Sequence, residues 1–300
     1  MPNKYYPWII SLRPKTLVLS LCAILMGNAL AYWNWCFDPL IMLLSIITAS
    51  LLQILSNLAN DYGDAIKGSD RQNLNGHKRG LQLGLISLNQ LKKALWINTF
   101  LCILFGLTLI YLACNNIYEI LSFILLGILS IIAAITYTIG KKPYGYIGLG
   151  DLSVLIFFGL ISVAGSYYLQ TKTLPMPIIL PALGCGLLSV AVLNINNLRD
   201  IDSDKMNHKR TLVVLMGKDR GRVYHLLLLV SSLCSFSIFS YSYLNPRWGW
   251  LFMLSLPLLI EHIYAVFHFK TAKDAFPLLL QMVKLALLIN LLYCLGIILS

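Results

Sequence analysis

Nine runs of about twenty apolar residues dominate this chain, each about the length that crosses the hydrocarbon core of a bilayer as a helix. They are predicted near residues 16–34, 39–60, 93–113, 118–138, 148–169, 176–198, 222–243, 248–268 and 279–299. Hydrophobic residues make up 58% of the 300 and charged residues only 12%, where an ordinary soluble domain carries about 25% charge. No Ser- or Pro-rich linker and no low-complexity tract interrupts the sequence. The reading is one all-α integral membrane domain over residues 1–300. The first run lacks a small-residue cleavage site and follows "SLRPKT", whose Arg13 and Lys15 read as interfacial anchors. It is therefore expected to be a retained helix, not a cleaved signal peptide.

The formal net charge of +11 raises the question of nucleic acid, and the distribution of charge answers it. Lys and Arg concentrate before the first run and in the loops after the second, fourth, sixth and eighth. The alternate loops hold little more than Lys172 and Arg247. This asymmetry predicts a cytoplasmic N-terminus and, with nine spans, a C-terminus on the far side of a bacterial inner membrane. It favours membrane lipid and an anionic substrate over nucleic acid. The seven cysteines are scattered without a CxxC or a neighbouring His pair, so they read as small apolar packing residues.

Two long polar loops, about 61–92 and about 199–221, each follow a run that ends in Asn and Asp. The first opens "NLANDYGDAIKGSD" and the second "NINNLRDIDSDKMNHKRTL". Asn60 and Asp64 recur, at the same spacing, as Asn196 and Asp200, which marks an internal repeat. Asp204 continues the second row, while Gly68 stands at the matching place in the first, where Asp70 is the nearest substitute. Six of the twelve acidic residues fall in these two windows. A basic triplet follows each set of acids, His77-Lys78-Arg79 after the first and His208-Lys209-Arg210 after the second.

Residues at i, i+3, i+4 and i+7 share one helix face. If both span ends stay helical, Asn57, Asn60, Asp61 and Asp64 form one row of oxygen ligands. Asn196 or Asn197, Asp200 and Asp204 form another. Oxygen donors without His or Cys suit Mg²⁺, which commonly bridges carboxylates to substrate phosphates. Metal and diphosphate together would neutralise two facing acidic rows, with the flanking cations taking the remaining phosphate oxygens. The alternative is a solvated polar helix end, which explains a single Asp but not a repeated spacing.

These paired motifs resemble the UbiA superfamily of intramembrane prenyltransferases. "SLRPKTL", "LSNLANDYGDAIKGSD", "AAITYTIGKKPYGYIGLGD" and "VLNINNLRDIDSD" are similar to its 1,4-dihydroxy-2-naphthoate polyprenyltransferase branch, of menaquinone biosynthesis. The resemblance runs from about residue 9 to the end and is weakest after residue 220. It implies nine transmembrane helices around a central cavity. It also implies Mg²⁺ held by Asn60, Asp64, Asp200 and Asp204, with Asp61 close by. Tyr137 and Lys141 match the family's YxxxK element, a diphosphate contact, although Lys141 also fits a simple positive-inside role. Arg79, Lys209 and Asn196 are the other implied diphosphate residues. Leu74, His77 and His208 depart from the branch pattern. Asp151, in "GLGD", either orients the aromatic acceptor or caps a helix N-terminus.

By the same resemblance, the chain transfers a polyprenyl group from a polyprenyl diphosphate to 1,4-dihydroxy-2-naphthoate, with loss of diphosphate and CO₂, giving demethylmenaquinone. The rival within the class is another aromatic acceptor, such as 4-hydroxybenzoate or a phytyl-accepting naphthoate. The rival from another class is a secondary transporter, which places ionisable groups near midplane. Here most acids gather at one rim, and Glu261, beside His262, is the main exception.

Overall fold

The computed structural model describes residues 6–68 and 80–300, and they are helical almost throughout. Among them nine helices are long and apolar enough to cross a membrane. They are Thr16–Trp33, Pro39–Lys67, Leu88–Ala113, Ile117–Thr136, Gly150–Thr171, Met176–Arg199, Lys218–Tyr243, Leu251–His268 and Ala272–Ile298. The number and order agree with the hydropathy reading.

Three boundaries move, and in each case capping chemistry explains the shift. Helix α1 (Tyr6–Leu12) leads through Arg13 into α2 (Pro14–Trp33), and α3 (Pro39–Lys67) follows. Asp38 caps α3 by accepting the amides of Leu40 (2.7 Å) and Ile41 (3.3 Å). At its other end α3 does not stop at residue 60. It carries the whole first motif as helix and closes at Gly68, whose φ of 72° supplies the left-handed turn. Helix α4 (Leu88–Ala113) starts early because Ser87 and Gln90 form a reciprocal capping box. After α5 (Ile117–Thr136), the fifth span combines α6 (Gly150–Val154), a π-helical stretch (Leu155–Ala164) and α7 (Gly165–Thr171). The sixth and seventh spans contain α8 (Ile179–Arg199) and α11 (Lys218–Tyr243), separated by the short α9 (Ile201–Met206) and α10 (Leu212–Met216). Helix α12 (Leu256–His268) precedes α13 (Ala272–Ile298), which begins with a second capping box, Thr271 with Asp274, well before the residue 279 that hydropathy predicts.

All nine spans are apolar, but they are not equally buried. Helix α8 lies at the centre, packed by α2, α11, α13 and the π-helical stretch. Helix α5 has no buried residue and presents its Leu and Ile side chains outward. Lipid is as apolar as leucine, so close packing and not hydrophobicity decides which helix sits inside. Small residues allow that packing here. A Cβ on Gly159 would stand 2.7 Å from Ala182 O and 2.9 Å from the Gly186 Cα.

Candidate active site

Both acidic motifs arrive at the same end of the bundle, and each is held by partners from elsewhere in the chain. In the first motif, Asn57 belongs to the scaffold. It donates to Leu12 O (2.9 Å) and Thr16 Oγ1 (3.0 Å) and accepts from Gln53 (3.2 Å), which fastens α3 to the α1–α2 corner. Asp61 is 1% exposed and pairs with Arg13 Nη2 at 2.7 Å. Arg13 is therefore no free interfacial anchor; its left-handed backbone (φ 50°) turns the chain so that its guanidinium reaches the motif. Asn60 Oδ1 accepts the Thr138 hydroxyl from the segment after α5. Asp64 Oδ1 accepts the phenolic hydrogen of Tyr146 at 2.9 Å.

The second motif is not one continuous helix. Helix α8 ends at Arg199, Asp200 is the junction (φ −96°, ψ 9°), and α9 resumes at Ile201. The row survives because the backbone bonds still run i to i−4: Asp200 N–H to Asn196 O (3.1 Å) and Asp204 N–H to Asp200 O (2.8 Å). Arg199 grips Asp200 with two bonds, Nε to Oδ1 (2.7 Å) and Nη2 to Oδ2 (2.6 Å), and donates a third to Asn196 Oδ1 (2.8 Å). Asp204 is 7% exposed, and its Oδ2 has no hydrogen-bond partner among the described residues. Lys209 Nζ lies 3.6 Å from its Oδ1. Burial pushes the Asp204 carboxyl up to about 6, Lys209 opposes that shift, and the charges of Asp200 and Asp64 add to it. Asp202 points outward, and His208 is exposed.

Tyr146 ties the two motifs together. Besides its bond to Asp64, its ring lies 4.0 Å from Lys67 Nζ and 5.7 Å from Lys209 Nζ, and its carbonyl accepts the Arg210 amide at 3.0 Å. Beside it, Tyr137, Asp151, Asn197, Thr211 and Leu212 line a small crevice. The Tyr137 hydroxyl packs against Gly150, where a Cβ would approach it to 2.9 Å. Burial, then the nearby carboxylates Asp151, Asp204 and Asp64, push the Tyr137 phenol up, so it stays protonated. Asp151 makes no side-chain N-cap on its helix and is buried, with Oδ1 unpartnered among the described residues and the Tyr224 phenol beside it. The capping alternative for Asp151 is thereby corrected: α6 takes its N-cap at Leu149. Lys141 is exposed, and Arg79, Asp70 and His77 lie outside the described residues.

The UbiA prenyltransferase family model matches residues 20–288. The chain belongs to the UbiA prenyltransferase family. It is 55% identical to the 1,4-dihydroxy-2-naphthoate octaprenyltransferase of Escherichia coli K12, over 98% of this chain and 95% of that one. The enzyme of the same name from Haemophilus influenzae is 48% identical, over 99% and 97% of the two chains. Among solved structures, the fold is similar to a UbiA homolog from Archaeoglobus fulgidus bound to GPP and Mg²⁺. That likeness has a TM-score of 0.66 at 15% identity and covers 99% of this chain and 100% of the other.

The donor set of this UbiA-family site fits a hard divalent cation. Its candidate ligands are all oxygens, and the unpartnered Oδ2 of Asp204 is a buried acceptor that a cation would satisfy. Yet among the described residues no three His, Cys, Asp or Glu side chains stand close enough to enclose an ion by themselves. Sequence reading missed three participants: Arg13, Arg199 and Tyr146. Each lies within a quoted motif, so the signal was present, but only the contact reveals the partner. Glu261 proves to be exposed on the outer face of α12, whereas its neighbour His262 is fully buried.

Proposed function

We propose that this integral membrane protein transfers a polyprenyl group from a polyprenyl diphosphate to 1,4-dihydroxy-2-naphthoate, releasing diphosphate and CO₂ and giving a prenylated naphthalenediol, the reduced form of demethylmenaquinone. The observation that carries this reading is the 55% identity, over nearly the whole of both chains, to an enzyme named for octaprenyl transfer to that acceptor. The gathering of both acidic motifs at one end of the bundle supports it.

Asn60, Asp64, Asp200 and Asp204 are the residues that would hold Mg²⁺, aided by Asp61. Bound there, the ion supplies positive charge against the leaving diphosphate. Lys209, with Arg79 and Lys141 as further candidates, binds phosphate oxygens, and Asn196 and the Tyr137 hydroxyl offer hydrogen bonds. The apolar helix walls keep water from the allylic cation left behind. Asp151, buried between Tyr137 and Tyr224, is placed to orient a hydroxyl of the acceptor. The ring carbon bearing the carboxylate forms the new C–C bond to the prenyl group. Its bond to the carboxyl carbon then breaks, and that electron pair restores the aromatic ring as CO₂ leaves. The basic loops support a cytoplasmic position for the motif end and the N-terminus.

The test incubates membranes containing the protein with Mg²⁺, a labelled polyprenyl diphosphate and a panel of aromatic acids. A prenylated naphthalenediol, with CO₂ released from carboxyl-labelled acceptor, is the expected product. A prenylated 4-hydroxybenzoate without CO₂ release would overturn the choice of acceptor.

A further inference from the structure

Arg199 holds a position that the simple picture of a metal site does not explain. Its guanidinium occupies both oxygens of Asp200, at 2.7 and 2.6 Å, and the amide oxygen of Asn196 at 2.8 Å. It is largely buried, with 14% of its side chain exposed, and packs 5.4 Å from the ring centroid of Phe276 at the start of α13. The oxygens it covers belong to Asp200, a candidate metal ligand, and to Asn196, a candidate diphosphate contact. Asp204, one turn further on, is treated differently: its buried Oδ2 has no partner among the described residues and its cation, Lys209, stands off at 3.6 Å. Half of the second motif is therefore blocked by a cation of its own, and half is ready.

We propose that Arg199 is a positioning switch: in the metal-free protein it is the internal counter-ion of Asp200, and on loading it turns its fork to the diphosphate. The inference rests on the metal–diphosphate reading above. The guanidinium fills the edge of Asp200 through which a cation would take both oxygens, so a cation bound there to both displaces Arg199. The released side chain remains one residue from the ion, and its planar donors match two phosphate oxygens better than a point charge does. The Phe276 ring gives it an apolar wall to turn against, so it need not return to water. The arrangement keeps the acidic junction neutral when no substrate is bound, and it makes binding of metal and of diphosphate mutually reinforcing.

The experiment measures binding, without any prenyl transfer. Detergent-purified wild type, Arg199→Gln and Arg199→Lys are titrated with Mn²⁺ by electron paramagnetic resonance. They are then titrated with inorganic pyrophosphate at saturating Mn²⁺. Loss of the internal competitor is expected to tighten Mn²⁺ binding in Arg199→Gln by about tenfold while pyrophosphate binding weakens by at least as much. Arg199→Lys, which keeps stem and charge if the Gln variant fails to fold, should also bind Mn²⁺ more tightly, with an intermediate loss of pyrophosphate. A residue that only braces the junction would weaken both ligands together or change neither. Mn²⁺ binding that is unchanged or weaker in both variants, beside a wild type that binds both ligands, would overturn the switch and leave the metal–diphosphate reading standing. A wild type that binds neither ligand would overturn that reading and the switch with it.

Discussion

Tyr146 donates its phenolic hydrogen to Asp64 Oδ1 over 2.9 Å while Lys67 and Lys209 face its ring. One aromatic side chain thus orients a carboxylate of the first motif and gathers a cation from each motif. Hydrogen bonds to charged groups are worth about 1.5–3 kcal/mol, and 1.36 kcal/mol is about tenfold in rate. Tyr146→Phe is expected to lower kcat/KM for the prenyl diphosphate by about tenfold or more and to raise the Mg²⁺ requirement. Its ring, and so its thermal stability, should persist. An unchanged Mg²⁺ requirement in steady-state kinetics would show that the phenol does not position Asp64.

With Asp204 as a metal ligand, as proposed, metal binding should be sensitive to mild acid. Its carboxyl, raised to about 6 by burial, must lose its proton to serve as a ligand. Mg²⁺ activation should therefore weaken as pH falls through 6, approaching about tenfold per unit below it. Stability of the metal-free protein runs the other way. A folded pKa above the unfolded 3.8 means that stabilisation by the protonated form is complete below about 4 and is lost as pH rises through about 6. Asp204→Asn should remove both dependences, and Lys209→Ala should shift the activation profile to higher pH, because Lys209 holds the carboxyl down. Mg²⁺ titrations and thermal melts between pH 5 and 8 read both effects.

Deep between the last three spans, His225 Nε2 meets His262 Nε2 at 3.2 Å, and His262 Nδ1 meets Gln281 Oε1 at 3.0 Å. Both histidines are essentially fully buried. His262→Leu would leave two polar partners without it, at about 1–3 kcal/mol for each such buried group. The triple change His225→Leu, His262→Leu, Gln281→Leu is expected to be less destabilising than His262→Leu alone. Thermal unfolding in detergent makes the comparison, and additive losses would show that the three do not form a unit.

Cys36 is exposed at the end of the bundle opposite both motifs, between α2 and α3. With the motif end cytoplasmic, a membrane-impermeant maleimide should label Cys36 in intact spheroplasts. A Cys36→Ser, Lys205→Cys variant, with its new thiol exposed beside the second motif, should react only after permeabilisation. The reverse pattern would invert the topology.

The number of spans was legible because each crossing demands its own apolar run, a requirement met locally. The ends were less so. The stretch from Asp61 to Lys67 and the turns beginning at Leu88 and Ala272 are polar enough to read as loop, and only caps and tertiary contacts keep them helical. Burial order was illegible for a physical reason. Lipid and protein interior are equally apolar, so hydropathy cannot tell central α8 from peripheral α5.

At the site, the spacing of Asn60 and Asp64, repeated by Asn196 and Asp200, was enough to mark two rows of candidate oxygen ligands, because one helix face is set by periodicity alone. What the rows touch depends on distant segments. Only the tertiary structure decided that Asn57 braces a helix corner, that Asp61 belongs to Arg13, that Tyr146 serves both motifs, and that Arg199 turns back on Asp200. Helical period is written in neighbouring residues. The pairing of buried charges is settled by which helices approach one another and what each brings to the contact.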